Sequence, residues 1–139
     1  MSGSFAVWIT GLPAAGKSAL AAELARQLAA RGVAVATLES DALRPIITPQ
    51  PSYDAAERDA FYATVADLGR LLVARGVPVI FDATANCRRY RDQARREIPS
   101  LLEVYLDTPL AVCTARDPKG VYRQGLQGGA HAVPGLQAP

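Results

Sequence analysis

Short apolar runs alternate with longer amphipathic segments along most of the chain. The apolar runs are rich in strand-forming residues, and they lie at residues 5–10, 33–38, 77–81 and 101–106. Apolar residues at helical spacing predict helices over residues 17–31, 54–75, 88–97 and about 109–115. Strands that alternate with helices form parallel βαβ units. The pattern therefore predicts a three-layer α/β/α sandwich, with helices on both faces of a mainly parallel sheet.

Two segments interrupt this alternation. Pro45, Pro49 and Pro51 predict a loop after the second strand, because proline lacks a backbone donor and disfavours a regular helix. Residues 125–139 are rich in Gly, Ala, Gln and Pro and show no strand pattern. The sequence thus contains four predicted strands. Either the sheet is small or the sequence stops before its last elements.

Composition narrows the class of protein. The chain has 139 residues, which predicts one domain over residues 1–139, and half of them are hydrophobic. A net charge of +2 is too small to indicate nucleic acid, and no apolar stretch is long enough to cross a membrane. Cys87 and Cys113 are too few and too far apart for a disulfide framework or a zinc site. We expect a cytoplasmic protein with no nucleic-acid or membrane partner.

The clearest motif follows the first strand. The segment ITGLPAAGKS matches the phosphate-loop pattern G-x-x-x-x-G-K-[ST]. Its glycines let the backbone curl, so that successive N–H groups point at phosphate oxygens beside a helix N-terminus. Lys17 is suited to the β- and γ-phosphates, and the Ser18 hydroxyl is suited to Mg²⁺. A plain glycine turn is the alternative. The candidate nucleotide-binding residues are Gly11, Ala14, Ala15, Gly16, Lys17 and Ser18.

Polar residues also follow the second and third strands, at the sheet edge where α/β proteins bind ligands. Asp41 is placed to accept a proton from a hydroxyl nucleophile or to hold Mg²⁺ through water. Arg44 has the forked geometry that binds a phosphate or sulfate. Asp82 ends the third strand, where a carboxylate often supports the Mg²⁺ shell. The alternatives are helix or turn capping by these carboxylates and a solvated Arg44.

The last basic cluster follows the fourth strand. Arg116, Lys119 and Arg123 lie in the segment ARDPKGVYRQG, which glycine and proline interrupt. Cations that close over a transferring phosphoryl group exclude water and neutralise developing charge. We expect residues 116–139 to supply such a lid and the tail that follows it. A solvated basic loop is the alternative.

These motifs resemble those of the adenylylsulfate (APS) kinases of sulfate assimilation. The most specific segment is YLDTPLAVCTARDPKGVY at residues 105–122, which is similar to the family's D-T-P-L-x-V-C helix start and R-D-P-K-G-L-Y lid. ESDALR is similar to the family's D-G-D-x-x-R. The resemblance implies a P-loop NTPase fold of the nucleotide-kinase type, whose last strand and helix this chain lacks. It also implies transfer of the γ-phosphate of ATP to the 3′-hydroxyl of adenylylsulfate, with Mg²⁺, in a homodimer.

The resemblance further implies a role for individual residues. Asp41 would lie near the 3′-hydroxyl and the metal, Arg44 and Arg58 would meet the phosphosulfate, Lys119 would lie against the acceptor, and Arg116 would lie near ATP. The expected catalytic residues are Lys17 and Asp41. The expected metal-binding residues are Ser18, Asp41 and Asp82.

Some residues depart from the family pattern. Phe61 stands where the family has an asparagine that contacts the acceptor, and residues 84–86 read T-A-N in place of I-S-P. These differences keep two other functions open. One is a P-loop kinase for another small hydroxyl-bearing acceptor, and the other is a non-catalytic ATP-binding regulatory module.

Overall fold

In the described part of the chain, four strands and five helices follow one another in the order that the sequence pattern predicts, with one helix added. The structure is a computed structural model that describes residues 4–12, 15–49, 54–84 and 87–116. Its elements are β1 (Ala6–Gly11), α1 (Lys17–Ala30), β2 (Ala36–Glu39), α2 (Ser40–Ile47), α3 (Ala55–Ala74), β3 (Val79–Asp82), α4 (Arg88–Glu97), β4 (Leu101–Leu106) and α5 (Leu110–Arg116).

All strand pairs in the sheet are parallel, and the strand order is β2-β3-β1-β4. In this register Glu39 pairs with Asp82, and Asp82 pairs with Ile9. The carboxyl ends of β2, β3 and β1 therefore lie side by side at one edge. Parallel sheets of this kind bind ligands at that edge, so the register already gathers the residues that the sequence singled out.

The sheet carries a separate apolar core on each face, which confirms the predicted three layers. Alternate residues of a strand point to opposite faces, and β1 and β3 are buried on both. Trp8 and Phe81 face the layer formed by α3 and α4. Ile9 and Ile80 face the layer that contains α1. Because β1 and β3 are covered on both sides, they are the rigid centre from which the site is built.

Aromatic rings fill the core under α3 and α4. Trp8 stacks on Phe81 with ring centroids 4.5 Å apart, and Tyr62 stacks on Tyr90 at the same distance. The Tyr90 hydroxyl donates to the Asp59 carboxylate at 2.8 Å. Burial, together with this bond to Asp59, raises the pKa of Tyr90 to about 12. The Arg89 guanidinium, and then the Tyr90 hydroxyl, lower the pKa of Asp59. Helices α3 and α4 are thus joined by rings inside and by polar bonds at the surface.

Ion pairs engage Arg88, Arg89, Arg91 and Arg95 of α4. Arg91 and Arg95 donate to the two oxygens of Glu103 on β4, at 3.2 and 3.1 Å. Arg88 lies 3.6 Å from Asp92 on its own helix. The bonds to Glu103 therefore hold α4 against β4.

Within the part of the chain that is described, no helix combines the length and apolar character needed to span a bilayer.

Helix α2 corrects the loop predicted from the prolines. Residues 40–47 are helical with Pro45 inside the helix, so the loop prediction is wrong for this segment. Pro45 removes the one N–H that would bond to the Asp41 carbonyl, and Thr48 closes the last turn by donating to the Arg44 carbonyl at 2.8 Å. Leu43 and Ile47, four residues apart, pack against the core under α3. That packing offsets the lost bond.

We predict that Gly69→Ala destabilises the fold. A Cβ atom at Gly69 would lie 2.1 Å from Cζ of Phe81, whose ring cannot move aside because it is fully buried against Trp8. Overpacking of this kind costs about 1–3 kcal/mol, against about 1 kcal/mol gained from helix propensity. The measurement is the free energy of unfolding in urea.

The double variant Gly69→Ala/Phe81→Leu is the control. Its loss of unfolding free energy should be smaller than the sum of the losses in the two single variants, because the smaller side chain leaves room for the new methyl group. Strict additivity would show that the two positions are not in contact.

Candidate functional site

The loop between β1 and α1 requires glycine at both ends. A Cβ atom at Gly11 would lie 3.0 Å from the carbonyl oxygen of Leu106 on β4, which is tighter than most real Cβ contacts and would meet backbone. Gly16 caps the start of α1 with a left-handed backbone, φ 106°. Only glycine adopts that region without strain. Ala15 is buried inside the loop, and its N–H donates to the Leu12 carbonyl at 3.1 Å, whereas Ala14 lies outside the described residues.

The Lys17 ammonium lies over this loop. Its Nζ donates to the carbonyl oxygens of Gly11 at 3.1 Å and Leu12 at 2.9 Å. Lys17 is also the first residue of α1, where the helix dipole favours a negative charge. A lysine ammonium, a helix N-terminus and a glycine-containing loop thus occur together, which is the arrangement that binds polyphosphate.

Ser18 and Asp82 connect the phosphate loop to β3. The Ser18 hydroxyl donates to Oδ2 of Asp82 at 2.7 Å, and only 3% of Asp82 is exposed. The carboxylate thus contacts the loop instead of serving only to cap its own turn. No group of three His, Cys, Asp or Glu residues able to hold a metal occurs among the described residues. Mg²⁺ needs no such group, because it keeps several waters and uses one or two carboxylates together with substrate phosphates. The Ser18–Asp82 pair fits that requirement.

Two threonines that sequence reasoning missed hold the loop region in place. Thr10 donates through Oγ1 to the Thr84 carbonyl at 2.5 Å, which joins the end of β1 to the turn after β3. Thr108 donates through Oγ1 to the Ala15 carbonyl at 2.9 Å, from the turn after β4. Each threonine lies at the carboxyl end of a strand. That position is the signal that could have identified them.

Asp41 lies at the same edge of the sheet, just after the end of β2. It is an exposed residue in the first turn of α2, directly beyond the Glu39 that pairs with Asp82. The N-cap position of α2 is Glu39, so Asp41 and Ser40 are residues of the helix itself. A helix N-terminus stabilises an ionised carboxylate. Asp41 is thus an accessible negative group beside the phosphate loop's edge of the sheet.

Arg44 is held in place, which excludes the solvated alternative. It forms an ion pair with Glu57, and the two side chains are only 13% and 12% exposed. Its Cζ lies 4.0 Å from the centroid of the Phe61 ring. Arg58, the neighbour of Glu57, is half-buried in the first turn of α3. The structure therefore brings both predicted anion-binding arginines to the region where α2 meets α3.

The predicted lid is only partly described. Arg116 is the last residue of α5, and Lys119 and Arg123 lie outside the described residues. The carboxyl edge of the sheet gathers Ser18, Asp82 and Asp41. Arg44 lies one helical turn beyond Ser40, on α2.

The chain matches known proteins over nearly its whole length. The family model for adenylylsulphate kinase matches residues 3–139. An adenylyl-sulfate kinase of Synechococcus sp. (strain JA-3-3Ab) is 35% identical over 133 residues, which cover 96% of this chain and 76% of that protein. One from Deinococcus deserti is 38% identical, with coverages of 96% and 74%.

Solved structures give the same result. The APS kinase of Mycobacterium tuberculosis, in complex with AMPPNP and APS, superposes with a TM-score of 0.92 at 30% identity. The match covers 98% of this chain and 81% of that one. The P-loop NTPase fold that the resemblance implies is therefore confirmed.

We predict that Thr108→Val weakens nucleotide binding. The change removes the bond to the Ala15 carbonyl with little change of shape, and a hydrogen bond of this kind contributes about 1 kcal/mol. We expect the dissociation constant for Mg·ATP, measured by calorimetry, to rise about fivefold if that whole contribution is lost from the loop.

Thr64→Val is the matched control, because Thr64 donates to the Ala60 carbonyl on the exposed side of α3. It should leave ATP affinity unchanged. Equal effects of the two substitutions would contradict a specific role for Thr108.

Proposed function

The chain belongs to the adenylylsulfate kinase family, and from that premise we propose how its residues carry out the reaction. The protein transfers the γ-phosphate of ATP to the 3′-hydroxyl of adenylylsulfate and yields ADP and 3′-phosphoadenylylsulfate. The observation that carries the proposal is the phosphate loop, with Lys17 over it and Ser18 bonded to Asp82, in a chain that matches the family over residues 3–139. The step belongs to sulfate assimilation.

The donor half of the site binds ATP mainly through the backbone. The N–H groups of the loop, from Gly11 through Ala14 and Ala15 to Gly16, surround the phosphates. Lys17 exchanges its two carbonyl partners for phosphate oxygens, a favourable exchange because charge-assisted hydrogen bonds are stronger than neutral ones. Ser18, Asp82 and Asp41 hold Mg²⁺ in this proposal. The ion neutralises charge on the β- and γ-phosphates when it is bound.

The acceptor half is built from side chains. Asp41 orients the 3′-hydroxyl and accepts its proton as the oxygen attacks the γ-phosphorus. Arg44 and Arg58 bind the anionic phosphosulfate, which fixes the hydroxyl in line with the bond that breaks. Arg116 beside ATP and Lys119 beside the acceptor complete the positive surroundings. Little covalent chemistry is left to the protein, because positioning and charge stabilisation dominate phosphoryl transfer.

The proposal also covers the domain organisation, the oligomeric state and the location of the protein. Residues 1–139 form one kinase domain, with the lid and tail at about residues 116–139, and two copies form a homodimer. Cys87 and Cys113 form no disulfide in the described part of the chain, and Cys113 is buried. Cysteines that stay reduced are typical of a reducing compartment, so we place the protein in the cytoplasm.

A substrate panel tests the reaction. We expect saturable ADP release from Mg·ATP with adenylylsulfate, and none above background with nucleosides, sugars or hydroxy amino acids. Lys17→Ala should abolish the release, because it removes the cation that meets the β- and γ-phosphates. Arg70→Ala, which changes a half-exposed arginine on α3, is the control and should retain full activity.

Two results would overturn the proposed function. Release with another acceptor alone would indicate a different small-molecule kinase. Binding of ATP without turnover on any acceptor would indicate a regulatory module.

Asp41→Ala tests the proposed base separately from nucleotide binding. ATP affinity should stay within about threefold of wild type, whereas kcat should fall about 100-fold or more, the range that general base catalysis contributes. Asp67→Ala removes a more distant, exposed carboxylate on α3 and should change neither value. An Asp41→Ala variant with normal turnover would remove this residue from the mechanism.

A further inference from the structure

Two residues of α3 hold the guanidinium of Arg44 from different sides. Glu57 and Phe61 are four residues apart, which places them on one face of the helix. Glu57 accepts a hydrogen bond from the guanidinium, and the Phe61 ring lies 4.0 Å from its Cζ. Phe61 is 1% exposed, so its ring is fixed by the core behind it. The guanidinium consequently meets a rigid aromatic surface and a carboxylate at the same time.

Glu57 is itself held in position. Asp54 caps the start of α3, and its carboxylate accepts a hydrogen bond from the backbone N–H of Glu57 at 2.8 Å. The Glu57 side chain is 12% exposed, and breaking a buried ion pair leaves an uncompensated charge. The pair is therefore retained when a ligand approaches. A mobile arginine side chain would have to lose rotamer entropy on binding an anion, and this arrangement removes most of that cost in advance.

We infer that Glu57 and Phe61 are positioning residues, which set the orientation in which Arg44 presents its planar donors to an anionic group of the acceptor. This inference rests on the proposed function. A guanidinium stacked on a ring keeps its N–H donors in the plane of the fork, the geometry that binds phosphate or sulfate through two parallel bonds. Phe61 stands where the resembled family has an asparagine, and an amide offers no aromatic face. In this chain the ring stabilises Arg44 by stacking.

The opposite hypothesis makes a different prediction. If Glu57 acted as an internal anion that competes with the acceptor, its removal would free Arg44 and lower the KM for adenylylsulfate. If Glu57 positions Arg44, its removal raises that KM. The sign of the change separates the two.

Glu57→Gln is the first variant to measure. It keeps the shape of the side chain and removes the charge that orients Arg44. We expect the KM for adenylylsulfate to rise about tenfold or more, because hydrogen bonds to charged groups contribute about 1.5–3 kcal/mol. The KM for ATP should stay within about twofold, since the phosphate loop is unchanged. Glu23→Gln, which breaks an exposed carboxylate–arginine pair on α1, is the matched control and should alter neither constant.

Phe61→Leu removes the ring and keeps an apolar side chain in the core. We expect a smaller rise in the KM for adenylylsulfate, about two- to fivefold, in line with about 0.5–1 kcal/mol for a cation–π contact. This variant also serves if Glu57→Gln does not fold. A double-mutant cycle with Arg44→Ala then tests whether Glu57 acts through Arg44, because in that background Glu57→Gln should cause no further loss.

Each of several results would overturn the inference. These are a fall in the KM for adenylylsulfate in Glu57→Gln, an unchanged value, an equal rise in the KM values of both substrates, or full additivity in the cycle. They can be told apart from a failure of the proposed function itself. That failure would leave the wild-type protein without turnover on adenylylsulfate, whereas failure of this inference leaves wild-type turnover intact.

Discussion

The parallel pairing of β1 with β3 is the constraint on which the rest of the site depends. It pairs Ile9 with Asp82, the last residue of β3. The buried carboxylate therefore lies beside the start of the phosphate loop. The hydrogen bond from Ser18 to Asp82 exists only in this register. A slip of one residue would turn every side chain of β3 to the opposite face and replace Asp82 by an apolar neighbour. The packing of Phe81 between Trp8 and Gly69 opposes such a slip.

The two proposed halves of the site use different chemical groups, backbone in one and side chains in the other. In the proposed reaction, the donor half relies on backbone N–H groups, glycine geometry and one helix terminus, which many sequences can supply once the loop is formed. The proposed acceptor half relies on long side chains from α2 and α3 that must be held by their neighbours. The sequence departs from the family pattern at residues 84–86 and, within this second half, at Phe61. The change at Phe61 alters how Arg44 is supported, while the phosphate-loop motif stays intact.

Much of the fold could be predicted because it follows local rules. The alternation of strand and helix segments located α4 and β4 at their observed bounds, and the glycine motif located the phosphate loop. Helix α2 was missed because the energetic cost of Pro45 is local, whereas the packing of Leu43 and Ile47 that offsets it is not. The pairing of Arg44 with Glu57 and the bond from Thr108 to Ala15 join residues far apart in sequence. No repeating pattern of residue types in the sequence indicates either of these two contacts. The roles of the individual site residues, Lys119 included, and of the tail stay predictions.

Trp8 gives this molecule a built-in optical probe. It is the one tryptophan of the chain, it is fully buried, and its indole N–H donates to the Ala83 carbonyl at 3.3 Å. That bond ties β1, three residues before Gly11, to the turn after β3. Tryptophan emission depends on the polarity around the ring, so any loosening of this junction changes the intrinsic fluorescence. Intrinsic fluorescence can therefore be used, without an added label, to test whether the junction between β1 and the turn after β3 is intact.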